Sequence, residues 1–494
     1  MHDNSTTSLS LSLFLFSLSD MADFNPKNLD PAANLEQAGR RVGSTEQSLC
    51  LAVPGGTGIA VLAMLFTKDP GNSILQSALH ELQKSHPILR SRITRDDKIN
   101  TFFFSVSPIP LLQIQSFDVS TTSQLLESLT KSDPNNGSIS AFQRIIEHEL
   151  NQNPWSNQSD TDVLFASLYA LPDSKWIVAL RLHASICDRT SAVFLLKELL
   201  GLIRGKEEEG VGEEQGMGKQ ELNLGIEQLI PSGKANKPFW ARGLDLLGYS
   251  LNAMRFSNLE FKDVTSPRSS QVIRLQMNPD ETHRILTKCK GKGIKLCGAI
   301  AAAGLVAAHS SKHLLPDHQF EKYAVITLID CRKLLDPPLN YRSLGFYHSA
   351  ILNTHDVKGG EEVWELASRC YGSFRDSFNA NKHFSDIDVL NLLMCKAIEN
   401  PGLTPHLSLR TSIISVFEDP VIDDEPTQLH QGMGMEDYMG CASVHGVGPS
   451  IAVFDTIRNG RLDCICVYPS PLHSREQMQE LIDTMKRILV SSGD

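Results

Sequence analysis

The sequence predicts an α/β chain of two similar subdomains, each a mixed sheet with helices packed on it. Three observations predict it. A chain of 494 residues suffices for two units of roughly 200 residues with ample core. Strand-type apolar runs and helical stripes follow one another in the same grammar in both halves. Between the halves, RGKEEEGVGEEQGMGKQ (204–219) is charged and glycine-rich, has almost nothing to bury, and reads as a crossover. The boundaries are a disordered leader over 1–37, an N-terminal subdomain over 38–203, a linker over 204–250 and a C-terminal subdomain over 251–494.

In the first half, Ile59 to Phe66 is a buried-strand candidate, and the segment after it carries Ile74, Leu75, Ala78, Leu79 and Leu82 on one helical stripe, stopped by Pro87. TFFFSVSP and LLQIQSF are rich in aromatic and branched residues and read as strands, as do 163–171 and 176–183, with a short helix at 141–150 between them. After Asp188 a helix turns Val193, Leu196, Leu199 and Leu200 to the core. The second half gives strands at 271–277, 322–330, 345–352 and 412–417, and helices at 359–376 and 387–398. A helix begins at PDETHRIL, and 296–311 is a small-residue helix suited to close packing. Asn459-Gly460 turns the hairpin within 450–469. In the last helix Ser474 and Gln477 read as a capping box.

The net charge of −11 opposes attraction to phosphate, so no nucleic-acid or anionic-membrane partner is expected. Ten cysteines without a CxxC exclude the usual zinc spacing and a dense disulfide scaffold. They fit reduced, buried thiols, a cytoplasmic monomer and no metal, and the sequons at Asn4, Asn136 and Asn157 then read as accidental. SLSLSLFLFSL resembles a signal core but lacks basic residues ahead of it and a cleavage site behind it. A plastid-type leader, or translation from Met21, is the alternative reading.

Dinucleotide, P-loop, zincin and hydrolase-elbow motifs are missing. What remains is His183 with Asp188 in LRLHASICDRTS, at a strand end before a helix, where α/β proteins expose reactive groups. The chain here resembles the coenzyme-A-dependent acyltransferase superfamily, which spans BAHD-type plant enzymes, chloramphenicol acetyltransferase and nonribosomal peptide synthetase condensation domains, as a divergent plant-like member. The resemblance covers most of 38–490. It rests on STEQSLCLA, SHPILRSRI, LHASICDRTSAVFLLKELL, VITLIDCRKLLDPP followed by LGFYHSAIL, and GRLDCICVYPSPLHSREQMQELIDTMKRIL, in that order.

The resemblance implies a channel between the subdomains and transfer of an acyl group from a CoA cosubstrate to a small alcohol or amine. It also implies a histidine base four residues before the aspartate, and an ion pair between Asp188 and Arg332. The departure falls on the base: Ala184 stands four residues before Asp188, His183 one place earlier, and Arg189 replaces the family's glycine. Adjacent strand residues point to opposite faces, so a regular strand through 183 and 184 would turn His183 away, whereas an extra turn residue or a bulge would return it. His183 as base and His183 as core histidine both stay open. So do an altered binding or accessory protein without a base, and chemistry other than acyl transfer.

VHGVG (444–448) stands where the family has DFGWG, with only Gly446 and Gly448 matching. His445 and His348 are candidates for lining the channel, while His86 reads as structural and Cys187 as a buried thiol. Lys288, Lys290, Lys292 and Lys295 in KCKGKGIK are either contacts for the CoA 3'-phosphate or a carrier domain, or an ordinary solvated helix end.

Overall fold

The apolar run near residue 60 is buried on both faces, which places it inside a sheet and not at an edge. The computed structural model describes residues 39–132, 139–157, 160–205, 222–238, 256–312, 320–403, 408–423 and 434–491, with single residues between them at 241, 243, 248 and 432. The expected leader, much of the expected linker, and the sequons at Asn4 and Asn136 lie outside the described residues. Strands are numbered in chain order, from β1 (Gly39–Arg41) to β16 (Arg461–Ser470).

The five-stranded sheet has the order β14 (Met435–Val444), β2 (Thr57–Phe66), β8 (Trp176–His183), β7 (Leu164–Ala170) and β5 (Ile114–Phe117). Its first strand comes from the other half of the chain and pairs antiparallel with β2, setting Met439 opposite Ala63. The seven-stranded sheet runs β11 (His348–Val357), β10 (Glu321–Asp330), β12 (Arg410–Phe417), β15 (Gly448–Arg458), β16 and β9 (Ser269–Gln276), with β13 (Val421–Asp423) beside β15. A four-stranded sheet of β1, β4 (Thr101–Val106), β3 (Ser91–Asp96) and β6 (Thr161–Asp162) completes the first half.

Alternation along the strands sorts the core. Leu62, Met64, Phe66, Leu180 and Leu182 face the helices Asn72–Ser85 and Arg189–Ile203. On the other face Val61, Ala63, Ile177 and Ala179 meet Phe142 and Ile145, together with Val272, Ala452 and Val467 of the second sheet. One apolar layer therefore joins the two subdomains, and each fully buried side chain of this size contributes about 1.5–3 kcal/mol. The far side of the second sheet is covered by the helices Leu296–Ser310, Val363–Asn379 and Arg475–Ser491. The small-residue helix packs as closely as its composition allows: a Cβ on Gly298 would come within 2.9 Å of the Ala367 carbonyl oxygen.

Several details differ from the sequence reading. Ile74 is 53% exposed, because the buried stripe of its helix begins one residue later, at Leu75. Val193 is only half-buried, and Phe194 and Leu195 take core positions instead. The strand expected from 345 starts at His348, since the Gly345 carbonyl accepts the Asp188 N–H (3.2 Å) and the Ser191 hydroxyl (3.0 Å) from across the seam. Ser474 accepts the Gln477 N–H at 3.2 Å, but the Gln477 side chain donates to the Glu260 carbonyl and not back to the cap. Among the described residues no single helix is long and apolar enough to cross a membrane.

Candidate functional site

Strand β8 ends at His183, directly opposite Ile59 of β2. A 3-10 turn over Ala184–Ile186 follows, so the regular strand does not continue through Ala184. The turn fixes the ring. His183 Nδ1 accepts the Ser185 backbone N–H (3.2 Å) and lies 2.7 Å from the Ser185 hydroxyl oxygen. The Trp155 ring stands edge-on with its centroid 5.2 Å away. The side chain is 1% exposed, and burial pushes its pKa down to about 3. The imidazole is therefore neutral near pH 7. Because Nδ1 takes an N–H, the ring's own proton sits on Nε2.

Ala184 puts a methyl group into an apolar cluster with Leu49, Val53, Ile59 and Trp155. A Cβ on Gly58 would lie 2.9 Å from that methyl carbon. No proton acceptor is supplied by the side chain at this position.

Asp188 caps the helix Arg189–Ile203 by accepting the Ser191 N–H at 2.9 Å. Arg332 grips it with two hydrogen bonds of 2.9 and 3.0 Å, and the Tyr347 N–H donates at 2.8 Å. His348 Nδ1 lies 3.0 Å from the same carboxylate. Burial alone would raise this carboxyl; the Arg332 charge and then His348 outweigh it and hold the group well below the usual carboxylate range. The carboxylate's contacts with the second half are thus made to Arg332, Tyr347 and His348. His348 faces Asp188 and also meets the Phe417 ring edge-on at 5.6 Å.

Arg189, the next residue, crosses the seam in the opposite sense. Its guanidinium donates to Asp455 Oδ1 at 2.8 Å and to the Asp419 carbonyl, and lies 3.7 Å from the Phe417 ring centroid. Thr190 adds a hydrogen bond of 2.8 Å to Asp330. A glycine here would leave that volume empty. Asp455 beside Arg189, and Trp155 and Ser185 beside His183, are site residues that sequence reasoning did not single out. Ser185 had a local signal, since a serine two residues after a histidine can bond back to it; Trp155 and Asp455 had none.

His445 sits in the loop between β14 and β15, with Nδ1 3.0 Å from the Ser270 hydroxyl. Burial, then the Arg410 and Arg268 charges, push its pKa down to about 4. Arg410 holds the loop by donating to the carbonyls of Val444 (3.0 Å), Pro449 (2.6 Å) and Gly446. The loop lies on the turn Val53–Thr57 of the first half. Gly56 has φ +92°, and a Cβ there would land on the His445 ring. Gly56→Ala is expected to lower the melting temperature clearly, by combining left-handed backbone strain of about 1 kcal/mol or more with that collision. A thermal denaturation curve matching the wild type would contradict the placement of this loop. Gly446 packs under the same turn, where a Cβ would approach the Gly55 carbonyl oxygen to 2.5 Å; Gly448 opens β15.

The four lysines have different surroundings. Lys288 lies 5.3 Å from the Trp364 ring centroid, and Lys295 is paired with Glu418 (2.7 Å) and Asp419 (2.8 Å). Lys290 and Lys292 are in the exposed last turn of the helix Pro279–Lys292. Cys187 is buried, and burial raises its thiol well above the ordinary value. His86 bonds Glu198 at 2.7 Å, away from His183. Two of the best-formed recesses among the described residues hold about 20 Å³, beside Val193 and Ile422, and about 10 Å³, beside Cys297 and His355; neither is lined by His183. No group of three or more His, Cys, Asp or Glu side chains among the described residues could hold a metal ion.

No family model matches the chain, and no curated protein matches its sequence. Solved structures do. The trichothecene 15-O-acetyltransferase of Fusarium sporotrichioides aligns with a TM-score of 0.69 at 13% identity, covering 94% of this chain and 98% of that one. Polyketide synthase associated protein 5 of Mycobacterium tuberculosis aligns at 0.62 and 15% identity over 92% and 98%. The epimerization domain from the third module of tyrocidine synthetase B aligns at 0.58 and 12% identity over 94% and 98%. At such identities the likeness shows the fold. The chain shares the two-subdomain fold of these solved structures, an architecture consistent with a channel between the halves.

Proposed function

We propose that this chain is a catalytically altered protein on an acyltransferase fold, one that binds a small molecule or serves as an accessory and does not transfer acyl groups through His183. One observation carries the reading: His183 Nδ1 accepts the Ser185 N–H. That bond commits the neutral ring to a proton on Nε2. A general base working through Nε2 needs a lone pair there, within about 2.6–3.2 Å of the proton it removes. The low basicity of the buried ring acts in the same direction, because a base far weaker than its ordinary value gives little driving force for proton removal near pH 7. Ala184, at the family's base position, offers nothing in its place. Asp188 and Arg332 support the turn, and their survival is compatible with loss of the chemistry.

The second reading is transfer of an acyl group from a CoA thioester to a small alcohol or amine, favoured by the likeness to an acetyltransferase. Free CoA release, measured with mixed acyl-CoAs and a panel of alcohol and amine acceptors, separates the two. The expected result is no acceptor-dependent release, and the same background for His183→Ala. Acceptor-dependent release that collapses in His183→Ala would overturn the binding reading and restore His183 as the base.

A further inference from the structure

A carboxyl buried beside a second carboxyl keeps its place only when a cation or a proton offsets the repulsion between them. Glu227 is such a group, and it lies in the stretch that the sequence assigns to the linker. That stretch is fastened to both halves. Toward the second half, Ile226 and Leu229 pack with Ile329, Leu335 and Tyr347, the Leu229 carbonyl accepts the Asp336 N–H at 2.8 Å, and the Leu224 carbonyl accepts the Tyr347 hydroxyl at 3.0 Å. Toward the first half, Glu227 Oε1 accepts the backbone N–H (2.6 Å) and the hydroxyl of Thr45, in the first turn of the helix Ser44–Ala52. Two glycines permit the approach: a Cβ on Gly225 would lie 3.2 Å from the Gly43 Cα, and one on Gly43 would lie 2.5 Å from Glu227 Oε2.

The same helix end already holds an anion. Glu46 Oε2 accepts the Gly43 N–H at 2.7 Å, and the Glu46 carboxylate takes two bonds from the Arg40 guanidinium, at 2.7 and 2.6 Å. Glu227 Oε2, by contrast, is buried and has no hydrogen-bond partner among the described residues. Burial holds the proton on the nearby Tyr347 hydroxyl, so one guanidinium stands against two carboxyls. Burial also raises the Glu227 carboxyl and the Glu46 charge adds to it, against the lowering pull of the Thr45 bonds.

We propose that the stretch 222–230 is a strap between the two halves latched by a proton on Glu227: docked while that carboxyl is neutral, released when it ionises beside Glu46. Release withdraws the cap from a helix whose Leu49 packs in one cluster with Ala184 and Trp155, so the strap acts on the candidate site from outside it. The latch is independent of whether His183 is a base. Its sign is fixed. A carboxyl raised in the docked state contributes in full below about pH 4, the ordinary glutamate range, and that contribution is lost as the pH climbs to the docked value. A single proton is involved, so opening grows by up to about tenfold per pH unit across that window and then levels off.

Hydrogen exchange of the full-length protein tests this, corrected for the intrinsic rate and read by mass spectrometry on peptides covering 222–230 and, as a reference, β2. Between about pH 5 and about pH 8 the wild-type strap is expected to lose protection by about tenfold or more while β2 keeps its own. Glu227→Gln is neutral at every pH, and its amide can still accept the Thr45 N–H and donate toward Glu46; it is expected to hold the strap at both ends of the range. Glu227→Ala, which removes the cap, is expected to expose the strap at both. Equal wild-type protection at the two pH values, or the same slope in Glu227→Gln, overturns the latch. So does a loss that β2 shares, which would mark global unfolding in place of local release.

Discussion

Asp188→Ala is expected to cost about 3–5 kcal/mol of stability, the usual penalty for removing one partner of a buried ion pair. The loss has several parts that fall together. Arg332, 2% exposed, would keep its charge in the interior with neither of its two bonds to the carboxylate. The helix Arg189–Ile203 would lose its cap, worth about 1 kcal/mol, and the Tyr347 N–H its acceptor. Asp188→Asn should cost less, since an amide oxygen can still cap the helix. Urea denaturation of the three proteins checks the order, and an Ala variant as stable as the wild type would contradict it. The pH dependence has a definite sign. A carboxyl held below its ordinary value stabilises the fold fully above about pH 4. That contribution is lost only as the pH falls toward the depressed native value.

Arg189→Ala should be the second most damaging change. It uncovers the face of Phe417 and leaves Asp455, 2% exposed, without its cation. A loss of about 3 kcal/mol is expected from the stranded carboxylate. Asp455→Asn in the same chain should recover a large part, because the neutral amide carries no charge to compensate. Asp455 differs from Asp188 in sign: burial raises its carboxyl even with Arg189 present. In Arg189→Ala that rise grows. A carboxyl raised in the folded state gives stability that is complete below about pH 4 and is lost as pH climbs through the native value. The single variant should therefore weaken with rising pH, and the double variant should not. Parallel pH profiles for the two would refute the assignment.

How much of this was written in the sequence depends on how far apart the partners stand. β8 and the helix after it were legible because an apolar run, a capping aspartate and a helical stripe lie within one short stretch. The hairpin turned by Asn459 and Gly460 was legible for the same reason, and both residues take positive φ, 52° and 73°. β14 was not. MEDYMGCASV mixes acidic residues and glycine with its apolar ones, and its partner β2 lies in the other half of the chain. For the candidate site, Asp188 came into view beside His183 by its place at a strand end before a helix, whereas Arg332 came only through family likeness. Arg189 was visible as a departure, but Asp455 and Phe417, its neighbours, leave no local mark. The role of His183 turns on which of its nitrogens is occupied, and Ser185, two residues on, decides that through a turn whose shape the letters alone do not fix.

The strand exchanged between the sheets has a consequence for any attempt to divide this protein. β14 covers one side of β2, residue against residue from Asp437 to Ala442 and with a shift of register toward each end. A fragment ending before it would bare a row of ten mostly apolar residues, Thr57–Phe66, with unsatisfied amides and carbonyls along the open side. Such a border invites other chains to add to it, and the expected product is aggregate. The lobes look like modules, yet they are stitched by a shared backbone ladder, and only the intact polypeptide closes both.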